Sequence, residues 1–292
     1  MIQYNPKEWF TFIFRLHKGD TIRRLMPLMI GIAIYSLIIA ILEREIWKLP
    51  ENSYVKNITI MHGLLGFVIS LLLVFRTNTA YDRWWEGRKL WGSLTNNSRN
   101  LAIKLAAIIP ETDKEHRLFF KKIIPAYAIA LKNHLGHENT RVELFEEDDH
   151  LKIQIHHDKH VPNQVAALMM KHVNQLYKEE KISGSQLIFL NSELQSFTDI
   201  CGACERIKNT PIPFSYSVFL KKFIFFYVMT LPFGYVFSLS YWLIPVVVFI
   251  FYVLASLELI AEEIEDPFGD DSNDLPTQKM AHNIHRHVAE IL

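Results

Sequence analysis

The chain has 292 residues, half of them apolar, and its 31 Lys and Arg balance 31 Asp and Glu, so the formal net charge is zero. That balance supplies no basic field to draw the chain to nucleic acid. Two cysteines, Cys201 and Cys204, are too few for the disulfide framework of a small secreted fold and suit a reducing compartment.

Residues 1–25 mix charge with aromatics, predict no cleavable signal peptide, and read as a cytosolic N-terminal segment. Charge-free runs then dominate the pattern. They matter because in hydrocarbon every backbone polar group must bond internally and every ionised side chain is costly. Met26 to Leu42 is about long enough to cross a core of roughly 30 Å and predicts a first spanning helix. Ile58 to Phe75 predicts a second; His62 is its one titratable residue, and Gly63 and Gly66 allow close helix approach. Phe223 to Leu257 contains no Asp, Glu, Lys, Arg or His and exceeds one crossing of roughly 20 residues, so it predicts a hairpin of two helices. Pro232, Gly234, Ser238 and Ser240 mark where that run is expected to break.

Four crossings place both termini on one side of the membrane. Arg15, Lys18, Arg23 and Arg24 precede the first span, Arg76, Arg83, Arg88 and Lys89 follow the second, and Lys221 and Lys222 precede the third run. The positive-inside rule makes that side the cytoplasm. The expected organisation is thus 1–25 cytosolic, 26–75 spans one and two, 76–218 a cytosolic helical region, 219–260 spans three and four, and 261–292 a cytosolic acidic motif and helix.

Within 76–218 the helical period is carried by Leu90, Leu94, Leu101 and Leu105, and again by Leu118, Phe119, Ile123, Ile124 and Tyr127. Gly136 to Val161 is polar, acidic and aperiodic and predicts a loop, with helix resuming near Gln164. The sequence holds no glycine-rich phosphate loop and no nucleophile elbow, and no enzymatic activity is expected.

Several local groupings carry alternatives. Phe67, Leu71 and Phe75 recur every fourth residue on one stripe of the second span; copies of that helix around an axis would form apolar rings that gate ions by dewetting, although ordinary helix packing gives the same spacing. Tyr81-Asp82-Arg83-Trp84-Trp85-Glu86 suits an interfacial anchor with a local ion pair from Arg83 to Asp82 or Glu86, or the mouth of a pore. Cys201-Gly-Ala-Cys204 sits on a continuing helical pattern from Leu187 through Phe197, which favours structural cysteines over a redox pair. His156, His157 and His160 with Asp158 would hold a transition metal if the segment were helical, or would be solvated in a loop. Glu262, Glu263, Glu265, Asp266, Asp270, Asp271 and Asp274 surround Pro267-Phe268-Gly269, with oxygen ligands of the kind calcium prefers but not in the spacing of an EF-hand.

Two of these segments together resemble the bestrophin family: Phe75-Arg-Thr-Asn-Thr-Ala-Tyr-Asp-Arg-Trp-Trp-Glu after the second span, and Glu263-Ile-Glu-Asp-Pro-Phe-Gly-Asp-Asp after the last. The resemblance covers nearly the whole chain. It implies an all-α membrane protein with four transmembrane helices per subunit continuing into a cytosolic helical bundle, assembled as a homopentamer around a central pore in the cell membrane. It implies a pore neck at Phe67, Leu71 and Phe75, a pore-mouth signature at Arg83, Trp84 and Trp85, and a cytosolic constriction near Ser185 with Ile182 and Gln186 as neighbours. No cofactor is required on this view. Calcium, where animal relatives bind it, would be held by the carbonyls of Glu263 and Asp266 and the carboxylates of Asp271 and Asp274, although Ser272 and Asn273 interrupt the acidic run. The function implied is passive chloride conduction, with a cation-selective homologue as the alternative. A membrane thiol oxidoreductase using Cys201 and Cys204, and a non-conducting scaffold, are the rivals from other classes.

Overall fold

The computed structural model describes residues 21–48, 54–136, 155–156 and 158–292. The N-terminal segment up to residue 20 with Arg15 and Lys18, His157, and most of the loop expected over Gly136–Val161 lie outside the described residues. The described chain is helical. The helices are α1 (Thr21–Ile41), α2 (Ile58–Ile108), α3 (Lys114–Leu135), α4 (Val161–Lys178), α5 (Gly184–Asn209), α6 (Phe214–Leu239), α7 (Leu243–Glu265) and α8 (Thr277–Ile291).

Helix ends follow local chemistry. α2 runs 51 residues without an internal proline and stops at Ile109, whose extended backbone is what a following Pro110 demands. Asp113 accepts the His116 N–H at the start of α3, and α4 starts from His160 with Pro162 in its first turn. Ser183 and Gln186 close a reciprocal capping box on α5. The long apolar run is indeed two helices, but Pro232 and Gly234 lie inside α6. The break comes at Ser240, where φ is +53° and a short 3₁₀ turn, Ser240–Trp242, leads into α7. Gly234 instead permits a close crossing, because a Cβ there would stand 3.0 Å from Thr59 Cγ2.

Three segments among the described residues are long and apolar enough to cross a membrane: Thr21–Ile46, Ile58–Ile108, and Phe214–Glu265, which joins α6 and α7. α7 packs against α1, α2 and α6, and these helices bury one core that includes Leu25, Ile69, Leu73, Ile224, Val228, Val247 and Phe251. Their outer faces are apolar as well, with Leu28, Ile34, Phe226 and Phe249 exposed, as lipid- or subunit-facing surfaces require. The second core joins the far half of α2 to α3, α4, α5 and α8 through Trp91, Leu101, Phe120, Tyr127, Met169, Leu190, Phe197, Ile284 and Val288. α2 is common to both. At the opposite end of the apolar bundle, the π turn Leu42–Ile46 meets the 3₁₀ turn: Arg44 donates to Ser240 Oγ, and Tyr241 Oη donates to Glu45 Oε1 over 3.3 Å.

Inside the second core, Lys181 Nζ donates to His116 Nε2 over 2.5 Å, so His116 Nδ1–H donates to His172 Nε2 over 2.8 Å. His172 stacks on Phe119 with ring centroids 3.7 Å apart. Burial, then the neighbouring His116, lowers its pKa to about 4. The unfolded chain takes up this proton near its ordinary value of 6.5 and the folded chain does not, so stability is lost as pH falls through the window from 6.5 to about 4. The thermal midpoint of the detergent-purified protein is expected to fall across that window, and less steeply in His172→Gln, which keeps an acceptor for His116. Equal slopes would show that His172 does not carry the effect.

Candidate functional site

α2 presents two opposite faces along its apolar part. One is buried and packs inside the subunit: Ile69, Leu73, Arg76 and Ala80. At about 100° per residue the residues on the other side are Phe67, Leu71 and Phe75, and these are 69%, 45% and 57% exposed. The predicted stripe therefore does not pack within its own chain. It continues along the same side through exposed Asn78, Asp82, Lys89, Asn96 and Asn100, so a single face changes from apolar to polar as the helix proceeds. Behind the stripe, His62 is buried, with Nδ1 bonded to Ile58 O and Nε2 to Thr230 Oγ1 of α6, each over 2.9 Å. At Gly66 any Cβ would stand 2.8 Å from Tyr227 Oη.

The point of change is tied down by arginines. Arg76, one residue beyond Phe75, is buried; its Nη2 lies 2.7 Å from Glu265 Oε2 and its Nε 3.6 Å from buried Glu258. Glu265 Oε1 in turn accepts the Ile212 N–H that opens the approach to α6. Arg83 does not form the expected local pair with Asp82 or Glu86. Its guanidinium donates to three carbonyls, Glu265 O over 3.1 Å and Thr210 O and Ile207 O over 2.5 Å each. Those carbonyls close the C-terminal ends of α7 and α5, where helix geometry leaves acceptors unpaired and a positive charge is favoured. Trp84 Nε1 donates to Asn273 O over 3.0 Å, and Trp85 is exposed.

The acidic loop after α7 folds back onto α2. Phe268 and Pro267 press on Gly87, where a Cβ would meet them at 3.1 and 3.2 Å. Arg24 of α1 donates to Glu263 Oε1 over 2.6 Å and to Asp271 Oδ1 over 3.2 Å, while Asn273 Nδ2 donates to Glu263 Oε2 over 2.7 Å. Asp274 is buried; its Oδ2 accepts the Asp271 N–H over 2.5 Å and its Oδ1 has no hydrogen-bond partner. Burial, together with Asp271, Asp266 and Glu263, raises its pKa to about 7. Hard oxygens around an unpaired carboxylate oxygen suit calcium, but the guanidinium of Arg24 already supplies a cation to the same loop.

A family model described as "Bacterial/Fungal Bestrophin protein" matches residues 1–290. The chain belongs to the bestrophin family. Among its relatives, a voltage-dependent anion channel-forming protein of Nostoc sp. (strain PCC 7120) is 35% identical over 98% of this chain and 92% of that one. One of the same name from Synechocystis sp. (strain PCC 6803) is 30% identical over 99% of this chain and 93% of that one. The crystal structure of a mutant bacterial bestrophin homolog from Klebsiella pneumoniae superposes with a TM-score of 0.80 at 28% identity, over 92% of this chain and 99% of that one.

In this bestrophin the remaining predicted residues fall as follows. Ser185 is exposed in the first turn of α5, and the side-chain oxygen of Gln186 is held in the capping box. Ile182 is corrected: it is 4% exposed and belongs to the subunit's own core, so it cannot line an aperture, whereas Ile188 one turn along α5 is 77% exposed. Cys201 and Cys204 are buried free thiols whose pKa values burial pushes up to about 12, the reverse of what thiolate chemistry needs. His156 and His160 do not share a helical face, because helix begins only at Val161; Asp158 lies in the preceding turn.

Arg83→Gln removes the charge that serves three carbonyls, and a loss of about 1.5–3 kcal/mol is expected. Arg83→Lys, a single point donor, should recover only part of it. Thermal unfolding of purified protein checks this; an unchanged midpoint in Arg83→Gln would show that the carbonyl contacts contribute nothing.

Proposed function

We propose that this bestrophin is a passive anion channel of the cell membrane, carried chiefly by one observation: the unpacked face of α2 passes continuously from Phe67, Leu71 and Phe75 to polar residues. Copies of α2 around a common axis cover that face and turn it into a pore with an apolar neck opening into a polar vestibule. An apolar ring holds water poorly, so an ion passes only when the ring is wide enough to wet, and the neck gates without choosing the ion's sign. Five copies are taken from the family resemblance.

Each subunit crosses the membrane four times, through α1, the apolar first part of α2, α6 and α7, with both termini cytoplasmic. Support comes from Arg23, Arg24, Arg83, Arg88, Lys221 and Lys222, which gather at the end where the second core continues. The boundaries at 26–75, 76–218, 219–260 and 261–292 follow from that arrangement. A second constriction is placed at the first turns of α5, on Ser185 with exposed Ile188. Arg83 and Trp84 act as clamps behind the pore mouth, and Trp85 faces outward. Calcium is not required on this reading, because Arg24 already pairs with Glu263 and Asp271. An ion entering there would be held by Asp271, Asp274 and the carbonyls of Glu263 and Asp266, and would displace Arg24 from Asp271.

The names of the Nostoc and Synechocystis relatives support anion conduction. Exposed Asp82 and Glu86 just beyond the neck favour the cation-selective alternative, and Lys89 opposes it. Purified protein in planar bilayers under a KCl gradient decides between them. The expected current reverses near the chloride equilibrium potential and persists when calcium is chelated. Reversal near the potassium potential would overturn the anion assignment. The Phe67→Ala, Leu71→Ala, Phe75→Ala triple variant is expected to conduct more than wild type, and background flux from folded, oligomeric protein would favour a scaffold. Cys201→Ser, Cys204→Ser is expected to retain full flux; its loss would revive the thiol oxidoreductase.

A further inference from the structure

His160 is drawn away from its sequence neighbours and into a three-residue cluster with His134, near the end of α3, and Glu205 of α5. Both Nε2 atoms lie 2.6 Å from the same carboxylate oxygen, Glu205 Oε1, and the two imidazole rings are 4.3 Å apart. The three donor atoms fall within 4.8 Å of one another. The side chains of His134, His160 and Glu205 are 32%, 32% and 29% exposed, so the cluster is held in place yet reachable from water. Lys208 Nζ fixes the neighbouring backbone by donating to His134 O and Gly136 O.

We propose that His134, His160 and Glu205 form a binding site for a zinc-class transition-metal ion that joins α3, α4 and α5. Two imidazoles and one carboxylate are a donor set that zinc accepts in three-ligand sites, leaving a fourth position for water. Metal–ligand bonds of about 2.0–2.2 Å need the donors to separate by less than about 1 Å from their present hydrogen-bonded positions. The imidazoles must change. His160 Nδ1 now accepts the Asn163 N–H at the start of α4, which leaves the neutral ring's proton on Nε2. Metal at Nε2 moves that proton to Nδ1 and removes the cap, a loss smaller than the gain from a metal–imidazole bond. His134 shifts its proton from Nε2 to Nδ1 in the same way.

The test uses full-length protein in detergent, stripped by chelator and titrated with cobalt(II), then with zinc(II). Wild type is expected to develop the ligand-field bands of four-coordinate cobalt, to lose them when zinc displaces it, and to unfold at a higher temperature with zinc than without. His134→Ala and Glu205→Gln should each weaken binding by about 100-fold or more, beyond what loss of an outer-shell partner costs. His156→Ala and His157→Ala should bind as wild type does. If His134→Ala fails to fold, Glu205→Gln, which keeps the side chain's shape, carries the comparison. Absence of the bands in wild type, or unchanged binding in Glu205→Gln, would overturn the site. Bilayer currents recorded on the same preparations separate this outcome from the channel assignment, which does not depend on the metal.

Discussion

Everything else in the molecule depends on α2 remaining one uninterrupted helix from the apolar bundle into the second core. A helix of 51 residues at about 1.5 Å each spans far more than a bilayer core. One helix therefore serves both the apolar bundle and the second core, and its inner face must satisfy both. Between them stands Arg76, buried against Glu265 and Glu258 one residue after the last aromatic of the apolar stripe. A buried charge left without its partner costs several kcal/mol, so this pairing fixes where α7 ends relative to α2. Arg83 and Trp84, two turns further, extend the same constraint to α5 and to the acidic loop. Together these contacts hold the inner face rigid, and the opposite face is left clear of the subunit's own packing.

A channel follows from what that clear face offers. Side chains as large as Phe67 and Phe75, exposed in a single chain, must be covered by lipid or by other copies. The same face turns to Asn78, Asp82, Asn96 and Asn100, which have no place against lipid tails but suit a water-filled vestibule. Selectivity is a separate matter from gating. The neck proposed at Phe67, Leu71 and Phe75 would offer an ion no charge and no hydrogen-bond donor, so on that reading the sign of the conducted ion rests on the charged residues beyond it and on the ion's hydration.

Much of this was legible in the sequence because the membrane imposes simple rules. Charge-free runs mark the helices long and apolar enough to cross a membrane, and the four-residue spacing of Phe67, Leu71 and Phe75 marks a face, although spacing alone does not say whether neighbours of the same chain cover it. What escaped sequence reading was long-range or conformational. Nothing local showed that Arg24 would reach Glu263, 239 residues away, or that Arg83 would prefer helix-end carbonyls to the acids beside it. Of the four residues that mark the expected break in the long run, Ser240 carries it, while Pro232, Gly234 and Ser238 stay helical, a choice that local sequence does not make. Ile182 was adjacent in sequence to the proposed aperture but turned into the core, and His160 joined His134 and Glu205 instead of His156. Such pairings are set by which helices meet, which a single sequence does not display.

The central claim is that the exposed stripe of α2 faces a shared aqueous pathway. Its most direct measurement is accessibility of single cysteines, introduced in the Cys201→Ser, Cys204→Ser background, to a charged water-soluble thiol reagent during bilayer recording. Cysteine at Leu71 or Asn78 is predicted to react and alter the current, whereas cysteine at Ile34 of α1 or Phe249 of α7 is predicted to leave it unchanged. Reaction and current change at Ile34 or Phe249, with none at Leu71 and Asn78, would contradict the account and move the pathway to another face of the bundle.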